Sequence, residues 1–180
     1  MKYGLIGEKL THSLSPEIHR LLGNDGYCLL ELKPDDLGAF MKTRDFSGIN
    51  VTIPYKQAVT EYLDEIDVYA EKTRAVNTVV NRGGRLYGYN TDVYGILATL
   101  TADFSSLSGI DVFILGSGGT SRSAAYAAEL LGADSIYRVS REKKGEGIVS
   151  YGQAAVMMRK KRHILINTTP VGTYPDNEDC

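Results

Sequence analysis

The sequence has few of the features that mark secreted or membrane-bound proteins. Its 180 residues contain two cysteines, Cys28 and Cys180, which make no disulfide framework and so favour a reducing compartment. No apolar run approaches the roughly 18 residues of a membrane-spanning helix. The N-terminus also becomes polar too early for a signal peptide. We therefore expect a soluble, cytoplasmic protein with no membrane partner.

Neither sign of charge dominates the chain. It has 20 Lys and Arg residues against 22 Asp and Glu residues, a net charge of −2 at pH 7, with both signs spread along the sequence. This balance gives no basic patch for nucleic acid, so the expected partner is a small molecule, and we predict no metal site. A hydrophobic content of 43% is sufficient for one large domain or two small ones.

Strand and helix patterns alternate in the first third of the chain and predict a mostly parallel sheet covered by helices. Strands are predicted at residues 3–6, at 27–33 and in the stretch that leads through 50–53 to Lys56. The first helix is predicted to have Ser15 as N-cap and Pro16 as its first residue. Its expected buried side chains are Ile18, Leu21 and Leu22.

The pattern changes after Lys56 and later restarts. Residues 75–90 predict a hairpin that turns at 82–85, and a long helix begins at Thr91 and Asp92. Small polar residues at 103–109 indicate a linker. Beyond it the strand–helix alternation resumes, so we expect two domains, 1–104 and 105–180.

A glycine turn in the second half predicts a dinucleotide site. Residues 116–119 stand between a buried strand pattern at 110–115 and an alanine-rich helix pattern. Glycines permit a tight turn and a close backbone approach, and the N–H groups of a helix start attract a pyrophosphate. The next strand ends in Ser140 and Arg141, with Glu142, Lys143 and Lys144 behind. Basic groups at this point favour NADP over NAD.

Polar side chains also gather at predicted strand and helix ends in the first half. Lys56 follows a strand and a proline, where α/β folds bind ligands, although a lone lysine is more often a solvated surface charge. The hydroxyls of Ser13 and Ser15 lie at a helix start and could hold a carboxylate. Asn77 lies in an apolar strand pattern and needs hydrogen-bond partners. Asp92 opens a helix, where an acidic residue also suits the helix dipole.

Six motifs in order over essentially the whole chain resemble those of the shikimate dehydrogenase family. They are Ser13-Leu14-Ser15-Pro16, Asn50-Val51-Thr52-Ile53-Pro54-Tyr55-Lys56, Ala75-Val76-Asn77-Thr78, Gly88-Tyr89-Asn90-Thr91-Asp92, Gly116-Ser117-Gly118-Gly119-Thr120-Ser121-Arg122 and Asn167-Thr168-Thr169-Pro170-Val171-Gly172. The resemblance implies an N-terminal α/β substrate-binding domain and a C-terminal Rossmann-type NADP-binding domain. The implied function is NADP-dependent, reversible reduction of 3-dehydroshikimate to shikimate, in aromatic amino-acid biosynthesis.

The resemblance also implies roles for individual residues. Lys56 and Asp92 would form the catalytic pair, with Ser13 and Ser15 on the substrate carboxylate. Contacts to the ring hydroxyls would come from Thr52, Asn77 and Asp92. The cofactor-binding residues would be Gly116, Ser117, Gly118, Gly119, Thr120, Ser140, Arg141, Asn167 and Thr168. Ser140 and Arg141 stand where the family has a short Asn-Arg-Thr motif.

Two alternatives stay open at this point. A quinate/shikimate dehydrogenase that uses NAD would differ at the substrate's extra hydroxyl and at Ser140 and Arg141. A non-catalytic binding module would keep the ligand contacts without turnover, but such a module need not keep both Lys56 and Asp92. The family's chains run further than this one. We therefore expect a fragment, or a shortened monomer or homodimer whose nicotinamide pocket is incomplete.

Overall fold

Two separate sheets organise the chain. The computed structural model describes residues 2–142, 145–159 and 161–172. The chain divides into two units, Met1–Asn90 and Thr91–Cys180. Lys143, Lys144 and Cys180 lie outside the described residues. Across the described ranges, no helix has the length and hydropathy to cross a membrane.

A six-stranded sheet forms the first unit. Its strands are β1 (Tyr3–Gly7), β2 (Tyr27–Glu31), β3 (Gly48–Val51), β4 (Glu65–Ile66), β5 (Thr78–Arg82) and β6 (Arg85–Tyr89), in the order β2-β1-β3-β5-β6-β4. The strand β1 pairs in parallel with β2 and β3, as the sequence pattern predicts. The predicted hairpin is present as the antiparallel pair β5 and β6. Gly83 and Gly84 form its turn at positive φ, which glycine adopts without strain.

Three short helices and two 3₁₀ turns connect these strands. The helices are α1 (Ser15–Leu21), α2 (Leu37–Thr43) and α3 (Val68–Thr73), and the 3₁₀ turns are Pro34–Asp36 and Ala58–Tyr62. The side chains buried most completely between helices and sheet include Ile6, Met41, Val59, Val79 and Leu86. The apolar positions of β1, β5 and β6 therefore supply the core that the alternating pattern predicts.

Helix α1 does not bury the side chains expected from its sequence. Ile18, Leu21 and Leu22 are 53%, 72% and 77% exposed. The helix instead contacts β2 through His19, whose ring stacks on Tyr27 with centroids 3.7 Å apart. The apolar spacing alone therefore predicted the wrong buried face. The residue that α1 contacts is Tyr27, whose hydroxyl also hydrogen-bonds to polar groups.

The N-terminus of α1 also differs from the prediction by one residue. Leu14 is the N-cap, and Ser15 is the first helical residue. The side-chain oxygen of Ser13 accepts a hydrogen bond from the Ser15 N–H at 3.3 Å. This local turn brings Ser15 into the first turn of the helix, so the capping role assigned to it was wrong.

A four-stranded parallel sheet forms the second unit. Its strands are β7 (Asp111–Leu115), β8 (Ser135–Val139), β9 (Ile148–Val149) and β10 (His163–Asn167), in the order β10-β7-β8-β9. Its helices are α4 (Asp92–Asp103), α5 (Gly119–Leu130) and α6 (Tyr151–Met157). The first strand lies inside the sheet and the later strands lie on both sides of it, which is the Rossmann-type arrangement. The helix after the glycine turn begins at Gly119, earlier than its alanine-rich pattern indicates.

The stretch interpreted as a linker packs within the second unit. Leu107 is fully buried in a cluster with Leu100, Ile110 and Val112. Its backbone N–H donates to the carbonyl of Leu131 at 2.8 Å. The small polar residues on either side of Leu107 are exposed and account for the linker-like composition.

Candidate functional site

In the first unit, the loop after β1 and the turn after β3 approach each other closely. A Cβ on Gly7 would stand 2.7 Å from Cγ2 of Thr52 and 2.7 Å from Cδ2 of Leu10. The Thr52 N–H donates to the carbonyl of Ile6 at 3.0 Å. Glycine at the end of β1 is therefore what allows Thr52 to lie against the loop that leads to Ser13.

The loop that carries Ser13 is fixed through Leu10. The Leu10 N–H donates to the Glu31 carboxylate at 2.7 Å, and its carbonyl accepts the Ser13 N–H at 3.0 Å. Leu10 is buried with Leu5 and Tyr27. Ser13 and Ser15 are both partly exposed, with Ser13 hydrogen-bonded to the start of α1. These two hydroxyls therefore lie at one helix start, as predicted.

Lys56 does not directly follow a strand. The strand β3 ends at Val51, and the chain then turns, with the Tyr55 N–H donating to the Thr52 carbonyl at 2.9 Å. The Lys56 carbonyl accepts the N–H of Val76 at 2.7 Å. The strand pattern predicted through Ile53 thus ends two residues earlier, at Val51. The backbone bond instead places the partly buried Lys56 beside the residue that precedes Asn77.

Asn77 is buried between two strand ends. Its N–H donates to the Tyr89 carbonyl at 3.0 Å, and its carbonyl accepts the Val51 N–H at 2.8 Å. The side-chain Oδ1 accepts from the Thr78 hydroxyl at 3.2 Å. The partners that a buried amide needs are therefore present. In this unit the structure brings together Lys56, Asn77 and, through Val51, the turn that begins at Thr52.

Three residues that were not singled out from the sequence extend this polar cluster. The Tyr27 hydroxyl donates to Oδ1 of Asn50 at 2.7 Å, and Nδ2 of Asn50 donates to Oγ1 of Thr78 at 3.2 Å. Burial raises the pKa of Tyr27 to about 12, partly offset by a side-chain hydrogen bond with Ser15. The signal for Asn50 was the same as for Asn77: an amide among apolar strand residues.

In the second unit, the carboxyl ends of three neighbouring strands carry the predicted nucleotide residues. The register aligns Asn167 with Leu115 and Leu115 with Val139. The next residues, Thr168, Gly116 and Ser140, therefore lie in one row at the same edge of the sheet. The Thr168 hydroxyl donates to the Leu115 carbonyl at 2.6 Å, and the Gly116 N–H donates to the Val139 carbonyl at 2.9 Å.

The glycine turn opens onto the start of α5. Gly118 is the N-cap, and a Cβ there would meet no atom within 4 Å. Ser117 is exposed, while Gly119 and Thr120 in the first helical turn are partly exposed. The Ser121 hydroxyl donates to the Gly118 carbonyl at 2.7 Å. An open glycine backbone before a 12-residue helix is suited to a phosphate group.

The remaining predicted residues differ in their surroundings. Ser140 is held by its N–H, which donates to the Val149 carbonyl at 3.1 Å, whereas Arg141 is exposed. The Asn167 side chain accepts from the Thr169 N–H at 3.0 Å and donates to the Val171 carbonyl at 3.0 Å, so it shapes the turn after β10.

Asp92 is the first residue of α4 and belongs to the second unit. Its pairing with Lys56 stays a prediction.

Comparison with known proteins gives concordant matches. A family model described as the shikimate dehydrogenase substrate binding domain matches residues 5–79. The shikimate dehydrogenase (NADP(+)) of Clostridium beijerinckii is 41% identical over 98% of this chain and 70% of its own length. Shikimate dehydrogenase 1 from Peptoclostridium difficile superposes with a TM-score of 0.83 at 34% identity, over 97% of this chain and 70% of that one. The shikimate 5-dehydrogenase of Thermus thermophilus, solved with NADP(H) and shikimate, gives a TM-score of 0.71 at 30% identity, over 96% and 69%.

Proposed function

This chain belongs to the shikimate dehydrogenase family, and from that premise we propose that it catalyses the NADP-dependent, reversible reduction of 3-dehydroshikimate to shikimate. The main support for this proposal is the 41% identity, over nearly the whole chain, to a relative named for that enzyme and cofactor. The curated relatives are named for NADP(+), which favours this reading over an NAD-using quinate enzyme. We expect the reaction in the cytoplasm, by a monomer or homodimer that needs no nucleic acid.

The first unit has residues suited to a hydroxylated carboxylic acid. Ser13 and Ser15 offer two hydroxyls at the start of α1, and hydroxyl donors suit a carboxylate. Thr52 and Asn77 lie at the ends of β3 and β5, connected through the Val51 N–H bond to the Asn77 carbonyl at 2.8 Å. We assign the carboxylate to the serines and the ring hydroxyls to Thr52, Asn77 and Asp92.

Lys56 is assigned the proton transfer. Oxidation of a secondary alcohol removes the hydroxyl proton while hydride leaves the same carbon, so a positioned group must take that proton. The backbone bond from Val76 to Lys56 sets the lysine beside Asn77, which is assigned to a ring hydroxyl. Asp92 is the carboxylate assigned to work with Lys56.

The second unit fits a dinucleotide. The open backbone at Gly118 and the start of α5 would hold the pyrophosphate, together with Gly116, Ser117, Gly119 and Thr120. Ser140 and Arg141 would contact the adenosine phosphate, and Asn167 and Thr168 would line the cofactor side of the sheet edge. When bound, NADP supplies the hydride acceptor or donor.

The test is shikimate-dependent reduction of NADP by this chain at alkaline pH. We expect turnover, and a Lys56→Ala variant should lose about 10²- to 10⁴-fold in kcat because a positioned proton-transfer group is missing. Lys42→Ala is the matched control, since Lys42 is an exposed lysine of the same unit on α2. Equal rates for the wild-type and Lys56→Ala chains would refute the catalytic assignment.

Calorimetry with shikimate distinguishes the enzyme from the remaining alternative, a non-catalytic binding module. A chain that binds shikimate but shows no turnover would be a binding module. This outcome is relevant because the chain spans about 70% of its relatives' length.

A further inference from the structure

A chain of hydrogen-bonded side chains connects Tyr27 of β2 to Asn77 inside the first unit. The Tyr27 hydroxyl donates to Oδ1 of Asn50 at 2.7 Å, and Nδ2 of Asn50 donates to Oγ1 of Thr78 at 3.2 Å. The Thr78 hydroxyl then donates to Oδ1 of Asn77 at 3.2 Å. This network therefore ends at Asn77, the residue assigned to a ring hydroxyl.

The donors in this network all run from Tyr27 toward Asn77. Each hydroxyl has only one proton, so Tyr27 donates to Asn50 and Thr78 donates to Asn77. Thr78 in turn accepts from Asn50. The carbonyl oxygen of Asn77 lies on the Thr78 side, and its Nδ2 donors are directed away from Thr78. The network thus couples the orientation of the Asn77 carboxamide to the direction in which Tyr27 donates.

Tyr27, at the start of this network, is buried and packed on both sides. It is 7% exposed, packs in a cluster with Leu5 and Leu10, and stacks on the His19 ring of α1. Ser15 and His19 are four residues apart and so lie on one face of α1, the face toward Tyr27. A tyrosine fixed by packing on both sides can orient the polar side chains that bond to its hydroxyl.

We propose that Tyr27 is a positioning residue of the shikimate site, whose hydroxyl orients the carboxamide of Asn77 through Asn50 and Thr78. This inference rests on the proposed function, because it takes shikimate as the ligand. Groups held in their binding orientation before the ligand arrives need no ordering on binding, so the network should contribute to affinity.

The experiment measures shikimate affinity by calorimetry on the full chain and its variants. Tyr27→Phe should weaken binding about three- to tenfold, equivalent to about 0.7 to 1.4 kcal/mol. Tyr3→Phe is the control, since Tyr3 is an exposed tyrosine at the start of β1. In an Asn77→Ala background, Tyr27→Phe should weaken binding by a factor at least twofold smaller, because the network then ends at a side chain with no ligand contact.

A second pair of variants keeps the test independent of how Tyr27→Phe folds. Thr78→Val removes the hydroxyl that links Asn50 to Asn77 and should weaken binding by a similar factor. Thr78→Ser keeps that hydroxyl and should restore the affinity. In the ligand-free protein, Tyr27→Phe should shift the NMR signals of the Asn50 and Asn77 side-chain amides, whereas Tyr3→Phe should shift neither.

The outcomes separate this inference from the function on which it rests. If the wild-type chain fails to bind shikimate, the proposed function is overturned and the positioning role with it. If the wild-type chain binds and Tyr27→Phe binds equally well, only the positioning role is overturned. An equal loss in the wild-type and Asn77→Ala backgrounds, or no difference between Thr78→Val and Thr78→Ser, would also overturn it.

Discussion

A Cβ added to Gly116 would stand 2.7 Å from the hydroxyl oxygen of Thr168. That hydroxyl donates to the carbonyl of Leu115, the residue before the glycine. Gly116 also has φ +114°, a backbone conformation that other residues adopt only with strain. The ends of β7 and β10 therefore meet only because position 116 has no side chain.

Gly116→Ala and Gly118→Ala should affect different properties of the protein, the first its stability and the second its affinity for NADP. Gly116→Ala should lower the free energy of unfolding by about 2 to 4 kcal/mol, from the contact with Thr168 and the positive φ. Gly118 has φ −80° and open space around its Cβ position, so Gly118→Ala should change stability by less than about 0.5 kcal/mol. It should nonetheless weaken NADP binding, because the new methyl group lies where a pyrophosphate approaches.

Urea unfolding followed by circular dichroism measures the stabilities, since the sequence has no tryptophan to report by fluorescence. Calorimetry with NADP measures the affinities. A stable Gly116→Ala protein would contradict the close contact, and unchanged NADP affinity in Gly118→Ala would contradict the glycine cradle.

Arg141→Ala should discriminate between the two cofactors. Arg141 is exposed just after β8, where basic groups bind the 2′-phosphate that distinguishes NADP from NAD. We expect kcat/KM for NADP to fall about 10- to 100-fold, and that for NAD to change less than about threefold. Arg159→Ala is the control, as another exposed arginine of the same unit. An equal fall in kcat/KM with both cofactors would show that Arg141 does not bind the 2′-phosphate.

The raised pKa of Tyr27 predicts a loss of stability in strong base. In the unfolded chain the hydroxyl ionises near its ordinary value of 10.0, whereas in the folded protein it stays neutral until about pH 12. A raised folded pKa means that the contribution is fully present below pH 10 and is lost as the pH rises to about 12. The loss should be on the order of 1 to 3 kcal/mol.

Unfolding of the wild-type and Tyr27→Phe chains between pH 9 and pH 12 isolates this contribution, because the other tyrosines are common to both. The stability difference between the two should narrow as the pH rises. A constant difference across that range would contradict the buried environment of the hydroxyl.

Asn90 should be important for folding of the first unit. Its side chain is 1% exposed, and Nδ2 donates to Oγ1 of Thr73 at 2.9 Å and to the Ala75 carbonyl at 2.8 Å. Asn90→Ala would remove the donor to the Thr73 hydroxyl oxygen and leave the Ala75 carbonyl with only the longer bond from Thr73, at 3.3 Å. The substitution should cost about 2 to 4 kcal/mol of stability. Asn24→Ala, at a partly exposed position after α1, should cost less than about 0.5 kcal/mol. Similar thermal midpoints for the two variants would contradict this prediction.

Most of the architecture could be predicted from local sequence patterns. Local patterns predict an element correctly where its structure depends mainly on its own residues. Examples are the hairpin with Gly83 and Gly84 and the helix that starts at Asp92. The glycine turn between β7 and α5 could likewise be predicted, because glycine is required where the backbone must approach a bound group closely. The six motifs also identified the family, which the comparisons confirm.

The contacts between side chains of different elements could not be predicted in this way. The apolar spacing of α1 predicted a buried Ile18, but Tyr27 lies under the face with Ser15 and His19, so Ile18 is exposed. Likewise, Asn50 meets Thr78 because β3 pairs with β5, and it meets Tyr27 because β2 lies only one strand away, beyond β1. A sequence pattern reports the period of one element, whereas contacts between elements depend on strand order and register, which no single segment encodes.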